Sequence, residues 1–261
     1  MRAARELPYF DAPTPLALAH RGGAAYGPNV GIENTLAAFA AAVELGYRYL
    51  ETDVHATADG VVVAFHDERL DRVTDAAGLI AELPYAAVRE ARVGGREPVP
   101  TLADLLEAFP LTRLNIDLKS DPVVEPTLRL LREHDALDRV CIGSFSMRRL
   151  QRARRLGGGR LATSAGQPEV AALRLLPERL AARVPTTASA LQIPVRHIVA
   201  GRTVELMTPL LLRRVHAAGG QVHVWTIDEA AEMHRLLDLG VDGIVTDRPD
   251  TLLQVLAARG A

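Results

Sequence analysis

A single cysteine, one tryptophan and an aromatic fraction of only 4% are the first things this 261-residue chain is short of. One cysteine cannot form an internal disulfide, so no covalent framework holds the fold. Cys141 lies in the apolar run Arg139-Val140-Cys141-Ile142-Gly143 and reads as a small buried hydrophobe. With so few aromatics in a 48% hydrophobic composition, the core must be built from Ala, Val, Leu and Ile. A basic excess is also missing. Lys plus Arg number 30 against 32 Asp plus Glu, a net charge of −2, which argues against a nucleic-acid partner. The arginines are spread along helices and read as solvated faces. No window approaches the run of about 18 apolar residues that a membrane span needs. Residues 1–8 lack the apolar segment of a secretory signal. The expectation is a soluble, cytoplasmic protein with no stable membrane anchor; its oligomeric state is not legible.

What is present is an alternation of short apolar runs and helical stretches from one end to the other. The runs predict strands at 16–19, 47–53, 60–65, 113–118, 140–145, 160–164, 190–193, 222–227 and 243–246. Helices are predicted at 34–45, 84–91, 101–109, 123–134, 146–156, 168–179, 208–218, 228–239 and 249–259. Gly46 would end the first of these, and Thr101 would cap the third. The strand-like runs show no clean alternation, as expected for a parallel sheet covered on both faces. Residues 67–100 read as an irregular insertion after the second strand region. Nothing resembling a linker divides the chain, which predicts a single domain with its core at about 16–259. Roughly eight β-then-α units predict an α/β fold of the TIM-type (β/α)₈ barrel kind, with an open doubly wound sheet as the alternative. The polar residues favour the barrel. His20, Glu51, Asp53, Asp117, Lys119 and Trp225 fall at or near the ends of different strands, and a closed ring gathers those ends around one point.

Glu51 and Asp53 are two apart on a strand, so their side chains share a face. Like charges that close are tolerable if a cation lies between them. Asp117-Leu118-Lys119 adds a third carboxylate and a base. With no thiol or imidazole cluster beside them, three carboxylates form a hard oxygen site suited to Mg²⁺, Ca²⁺ or Mn²⁺ rather than Zn²⁺. His20 and His66 flank the carboxylates at strand ends and carry the side chain suited to proton transfer near neutrality. His55, His134, His197, His216, His223 and His234 read as structural. Arg21 and Lys119 would offer positive charge to an anionic substrate, or simply balance the carboxylates.

These residues fall in a recognisable order: His20-Arg21-Gly22, Glu33-Asn34-Thr35, Glu51-Thr52-Asp53, His66-Asp67, Leu70-Asp71-Arg72-Val73-Thr74, Gly78, Pro100-Thr101-Leu102, Asp117-Leu118-Lys119, Ser144-Phe145, Val224-Trp225-Thr226 and Thr246-Asp247-Arg248-Pro249. In that order the chain resembles the glycerophosphodiester phosphodiesterases, a TIM-barrel family akin to phosphatidylinositol-specific phospholipase C. The resemblance implies hydrolysis of a glycerophosphodiester to glycerol 3-phosphate and an alcohol. It implies His20 and His66 as the acid/base pair, and Glu51, Asp53 and Asp117 as ligands of one divalent cation. Arg21 and Lys119 would contact the phosphate, Glu33 would lie near the metal or the glycerol hydroxyls, and Phe145 and Trp225 would line the pocket or pack as core aromatics. Asp67 would orient His66 or cap its loop. The chain departs from the family pattern at Asp117, where members commonly carry Glu, and at Ile32, where Pro often precedes the Glu-Asn-Thr motif. The alternative within the same chemistry is a lysophospholipase D or a sphingomyelinase-D-like enzyme. A lipid substrate would want an exposed apolar patch near the barrel mouth, and the few aromatics put that alternative second.

Overall fold

The structure, a computed structural model, describes residues 1–181, 183–184, 186–199 and 201–260. The strands are β1 (Leu16–His20), β2 (Tyr49–Ala56), β3 (Val62–Ala64), β4 (Arg92–Val93), β5 (Glu97–Pro98), β6 (Arg113–Leu118), β7 (Val140–Gly143), β8 (Ala162–Thr163), β9 (Ala190–Pro194), β10 (Arg196–Val199), β11 (Arg202–Glu205), β12 (Gln221–Trp225) and β13 (Gly243–Thr246). The helices are α1 (Leu36–Glu44), α2 (Tyr85–Val88), α3 (Leu102–Ala108), α4 (Val124–Glu133), α5 (Met147–Gly157), α6 (Gln167–Leu175), α7 (Glu178–Ala181), α8 (Pro209–Ala217), α9 (Ala230–Leu239) and α10 (Pro249–Ala258). The main sheet runs β8-β7-β6-β2-β1-β13-β12-β9, parallel throughout. A single parallel bridge, Ser164 to Ala190, joins its two ends, so the eight strands form a nearly closed (β/α)₈ barrel.

Each barrel strand sorts its side chains by the two-residue period of extended chain. On β1, Leu16 and Leu18 point inward while Ala19 packs against the helices; on β2, Tyr49 points inward while Leu50 and Val54 face outward. The lack of alternation in the sequence therefore hid a strict one, because the floor layer of the barrel is apolar on both sides. Leu16, Leu18, Tyr49, Cys141, Ala162, Ala190 and Val245 make that floor. Residues 1–12, for which the sequence predicts no element, close it from below. Tyr9 and Phe10 are buried there, and Tyr49 Oη donates to the Tyr9 carbonyl at 2.7 Å. Polar residues occupy the next layer up: Gln192 Nε2 donates to Asn115 Oδ1 at 2.8 Å and lies 3.3 Å from His223 Nδ1. The charged residues sit above that, at the carboxyl rim.

Several predicted elements differ in extent. The second strand continues three residues past Asp53, because β3 pairs antiparallel with Val54, His55 and Ala56 and holds them extended. The predicted strand 60–65 is thus a flap on β2 and not a member of the barrel. The helix predicted at 168–179 stops at Leu175, and Pro177 separates it from α7. The antiparallel pair β10–β11 was not predicted. Thr101 caps α3 as expected, and Asp104 completes a capping box. No described helix is long and apolar enough to cross a membrane.

Candidate active site

The site follows from the strand period and the register. Tyr49 points into the barrel, so Glu51 and Asp53 do too, one and two layers higher. The β2–β6 ladder sets Asp53 beside Asp117, and the β1–β2 ladder sets His20 beside Glu51. Four of the predicted residues are therefore neighbours because of backbone hydrogen bonding alone. Together with Arg21, His66, Lys119, Phe145 and Trp225 they line one cavity of about 620 Å³. Glu33 is not on its wall. It lies behind Arg21, whose Nη1 donates to Glu33 Oε1 at 3.1 Å.

The chain leaves β1 through three consecutive residues in the left-handed region: Arg21 (φ 50°), Gly22 (φ 86°) and Gly23 (φ 86°). Gly22 is required on two counts. Its φ disfavours any side chain, and a Cβ there would lie 2.9 Å from the Ala38 Cβ of α1. At Arg21 the conformation is strained for a residue with a long side chain. It turns the backbone N–H onto Glu51 Oε2 at 3.2 Å and brings the guanidinium over Asp53, with Nε 3.3 Å from Oδ2. Asn34, also left-handed at φ 59°, is fully enclosed; it accepts from Thr52 Oγ1 at 2.8 Å and directs its Nδ2 at Asp53 Oδ2, 3.4 Å away. Of the Glu-Asn-Thr motif, then, Asn34 steadies a site carboxylate and Thr35 caps α1.

Both histidines are backed by an aspartate. His20 Nδ1 lies 2.8 Å from Asp247 Oδ1, and His66 Nδ1 lies 2.6 Å from Asp67 Oδ1. A carboxylate only accepts, so each ring carries its proton on Nδ1 and keeps Nε2 for exchange. His20 Nε2 is 3.8 Å from Glu51 Oε2. Burial works to lower the pKa of His20, but Glu51 and the bond to Asp247 outweigh it and raise it. Asp247 is itself set by Asp228, whose Oδ1 accepts from the Asp247 N–H at 2.8 Å and from Thr246 Oγ1 at 3.0 Å. Nothing in the sequence singles out Asp247 as an individual residue. Its place in the Thr-Asp-Arg-Pro motif was the available signal. Asp67 is held well below the usual carboxylate range, at about 2, chiefly by its bond to Arg72. His55 lies beneath His66 and donates from Nε2 to the His66 carbonyl at 3.1 Å; burial lowers its pKa and keeps it neutral.

The carboxylates carry more negative charge than their neighbours cancel. Lys119 Nζ lies 2.8 Å from both Asp53 Oδ1 and Asp117 Oδ2. Burial opposes ionisation of Asp53, yet Lys119 and Arg21 hold its pKa low. Burial likewise works against the Lys119 ammonium, and Asp117 and Asp53 prevail and raise its pKa. Glu51 is left over. Burial, then the Asp53 charge, pushes it up to about 7. Oxygen-only donors and a surplus buried carboxylate suit a hard divalent cation by chemistry and by charge. The arrangement is a different matter: among the described residues no three His, Cys, Asp or Glu side chains are disposed to hold one metal ion, and Lys119 occupies the place between Asp53 and Asp117.

On the opposite wall Phe145 and Trp225 meet edge to face with centroids 6.0 Å apart. Phe145 is 57% exposed, so it lines the mouth and is not a core aromatic. Beyond it the wall is aliphatic, from Val170, Ala171 and Leu175 on α6 and Ile193 and Leu206 opposite.

A barrel that collects proton-transfer groups and cations at its carboxyl rim belongs to the α/β-barrel enzymes. Within that class the chain belongs to the glycerophosphoryl diester phosphodiesterase family, whose model matches residues 20–251. It is 45% identical to a Mycobacterium tuberculosis protein named probable glycerophosphodiester phosphodiesterase 2, over 94% of this chain and 92% of that one. A human lysophospholipase D is 29% identical over 92% of this chain and 85% of its own. Among solved structures, an Oleispira antarctica phosphodiesterase in complex with the product sn-glycerol-3-phosphate superposes with a TM-score of 0.77 at 26% identity, covering 94% of this chain and 97% of the other.

Proposed function

We propose that the chain, acting as one domain, hydrolyses glycerophosphodiesters to sn-glycerol 3-phosphate and an alcohol, with His20 and His66 as its proton-transfer groups. The observation that carries this reading is the matched pair of aspartate-backed imidazoles on one cavity that also holds Arg21 and Lys119. Phosphodiester cleavage needs a proton taken from the nucleophile and another given to the leaving alcohol, while charge builds on the non-bridging oxygens. Two imidazoles with protonated Nδ1 can exchange those protons at Nε2. Arg21 and Lys119 can face the oxygens, and Asp247 and Asp67 stabilise each ring when it becomes charged. For Glu51, Asp53 and Asp117 to hold one divalent cation, Mg²⁺, Ca²⁺ or Mn²⁺, Lys119 would have to give up its place between Asp53 and Asp117; the cation would then supply Lewis-acid stabilisation of the phosphate. The near balance of charge keeps nucleic acid outside this reading, and the partner is a small diester met in the cytoplasm.

The experiment is release of sn-glycerol 3-phosphate from glycerophosphocholine by the purified protein, before and after EDTA. Loss on chelation with recovery on Mg²⁺ or Ca²⁺ is the expected result. Activity that EDTA leaves untouched removes the cation from the proposal.

A second reading, a lysophospholipase D, is favoured by the aliphatic wall. The patch that aromatics were too few to build is supplied by Val170, Ala171, Leu175, Ile193 and Leu206, with Leu175 75% exposed at the mouth. Lysophosphatidylcholine assayed beside glycerophosphocholine separates the two.

A further inference from the structure

The insertion after β2 carries a side chain to which the reaction assigns no part. Arg72 ends the short turn Leu70–Arg72, and its guanidinium grips two carboxylates at once. Nη2 lies 2.6 Å from Glu33 Oε1 and Nη1 3.2 Å from Glu33 Oε2. Nε lies 2.5 Å from Asp67 Oδ2, and Nη2 lies 3.1 Å from Asp67 Oδ1. Those two carboxylates are the ones that hold site groups from behind. Asp67 accepts from His66 Nδ1 at 2.6 Å, and Glu33 accepts from Arg21 Nη1 at 3.1 Å.

We propose that Arg72 is a positioning residue, fixing His66 through Asp67 and Arg21 through Glu33, and that the insertion is the mount that keeps it in place. The inference rests on the phosphodiesterase reading, in which His66 transfers a proton. Two anions that share one nitrogen would repel if the guanidinium left, and Asp67 would be free to swing from the imidazole. A planar fork with donors on two edges meets this demand, and an ammonium does not. The mount is rigid for its own reasons. Phe65, Leu70, Ile80, Val88, Val93 and Val99 belong to a separate small core. The insertion also abuts the loop leading to Glu33 backbone to backbone: Gly94, at φ 59°, has no room for a Cβ, which would lie 2.6 Å from the Gly31 carbonyl. Arg96 Nη2 donates to the Pro28 carbonyl of the same loop at 3.3 Å. Insertion, Glu33 loop and His66 are thereby braced as one body.

The test is steady-state hydrolysis of glycerophosphocholine by R72Q, R72K, D67N and the R72Q/D67N double variant, with H66A as reference and thermal melts throughout. R72Q should lower kcat by about 10- to 100-fold, the scale of a small misplacement, with KM nearly unchanged. R72K should fall between R72Q and the wild type. Adding R72Q to D67N should cost almost nothing more, since both act along one chain of contacts. Arg72 is 46% exposed, so melting should shift by no more than about 4 °C. A near-normal kcat in R72Q, or losses that multiply in the double variant, with H66A inactive, overturns the positioning role and spares the phosphodiesterase reading. A kcat loss that lysine does not relieve and that follows a collapse in melting temperature also overturns it. An active H66A would sink the underlying reading instead.

Discussion

Replacing Asp247 by Asn tests whether His20 needs its anionic backing. The perturbation keeps the shape and removes the charge. The amide can still accept from Nδ1–H, but it can also turn and donate, which would leave the proton on the wrong nitrogen. A hydrogen bond to a charged group contributes about 1.5–3 kcal/mol. Asp247 is 24% exposed and Glu51 stands 3.8 Å from the other ring nitrogen, so part of the field on the imidazole survives. We therefore take the lower half of that range, about 2 kcal/mol, which is about 30-fold in rate. The assay is kcat for sn-glycerol 3-phosphate release from glycerophosphocholine, with KM and a thermal melt measured on the same preparation. The substitution lies at the rim, so KM and melting temperature should hold. A kcat within about threefold of wild type, where the 2 kcal/mol estimate expects about 30, would refute the argument that Asp247 governs His20.

Two further effects concern stability. Glu169, buried at the start of α6, accepts from Arg154 Nη1 at 2.8 Å and Nη2 at 2.9 Å, and from the Gly166 N–H at 2.7 Å. Glu169→Ala leaves a largely buried guanidinium without its carboxylate, with only Thr163 Oγ1 and the Ser164 carbonyl still accepting from it, and should cost about 3 kcal/mol in urea unfolding; a loss under about 1 kcal/mol would show the pair to be unimportant. His223, fully buried, has its pKa pushed down by burial from about 6.5 to about 4. The depressed value means that its contribution is intact above about pH 6.5 and is lost as pH falls toward 4. The loss reaches about 3 kcal/mol. His223→Gln should flatten the urea midpoint between pH 7 and 4, and an unchanged acid slope would assign that loss to other groups.

The parts of the site that the sequence makes legible are those set by strand period and register. Glu51 and Asp53 share a face because residues two apart must, and Asp117 joins them through one ladder. The helix cap at Thr101 is legible for the same local reason. The carboxylate backing of His20 is not, since Asp247 reaches it only when β13 closes against β1, a contact across 227 positions. Arg72 is hidden in an insertion whose shape comes from its own small core and from no periodic pattern. The N-terminal plug escapes because Tyr9 and Phe10 gain a burial site only once the barrel exists. The hairpin β10–β11 is missed because its exposed residues offer little hydrophobic pattern to read. Lys119 is the instructive case: its residue type admitted either a phosphate contact or charge balance, and its geometry puts it between Asp53 and Asp117.

The most direct measurement is turnover of glycerophosphocholine by His20→Ala and His66→Ala, each confirmed folded by its melting transition. Each should lose at least about 10²-fold in kcat, the usual contribution of a positioned acid or base. Both variants turning over at near the wild-type rate would contradict that role.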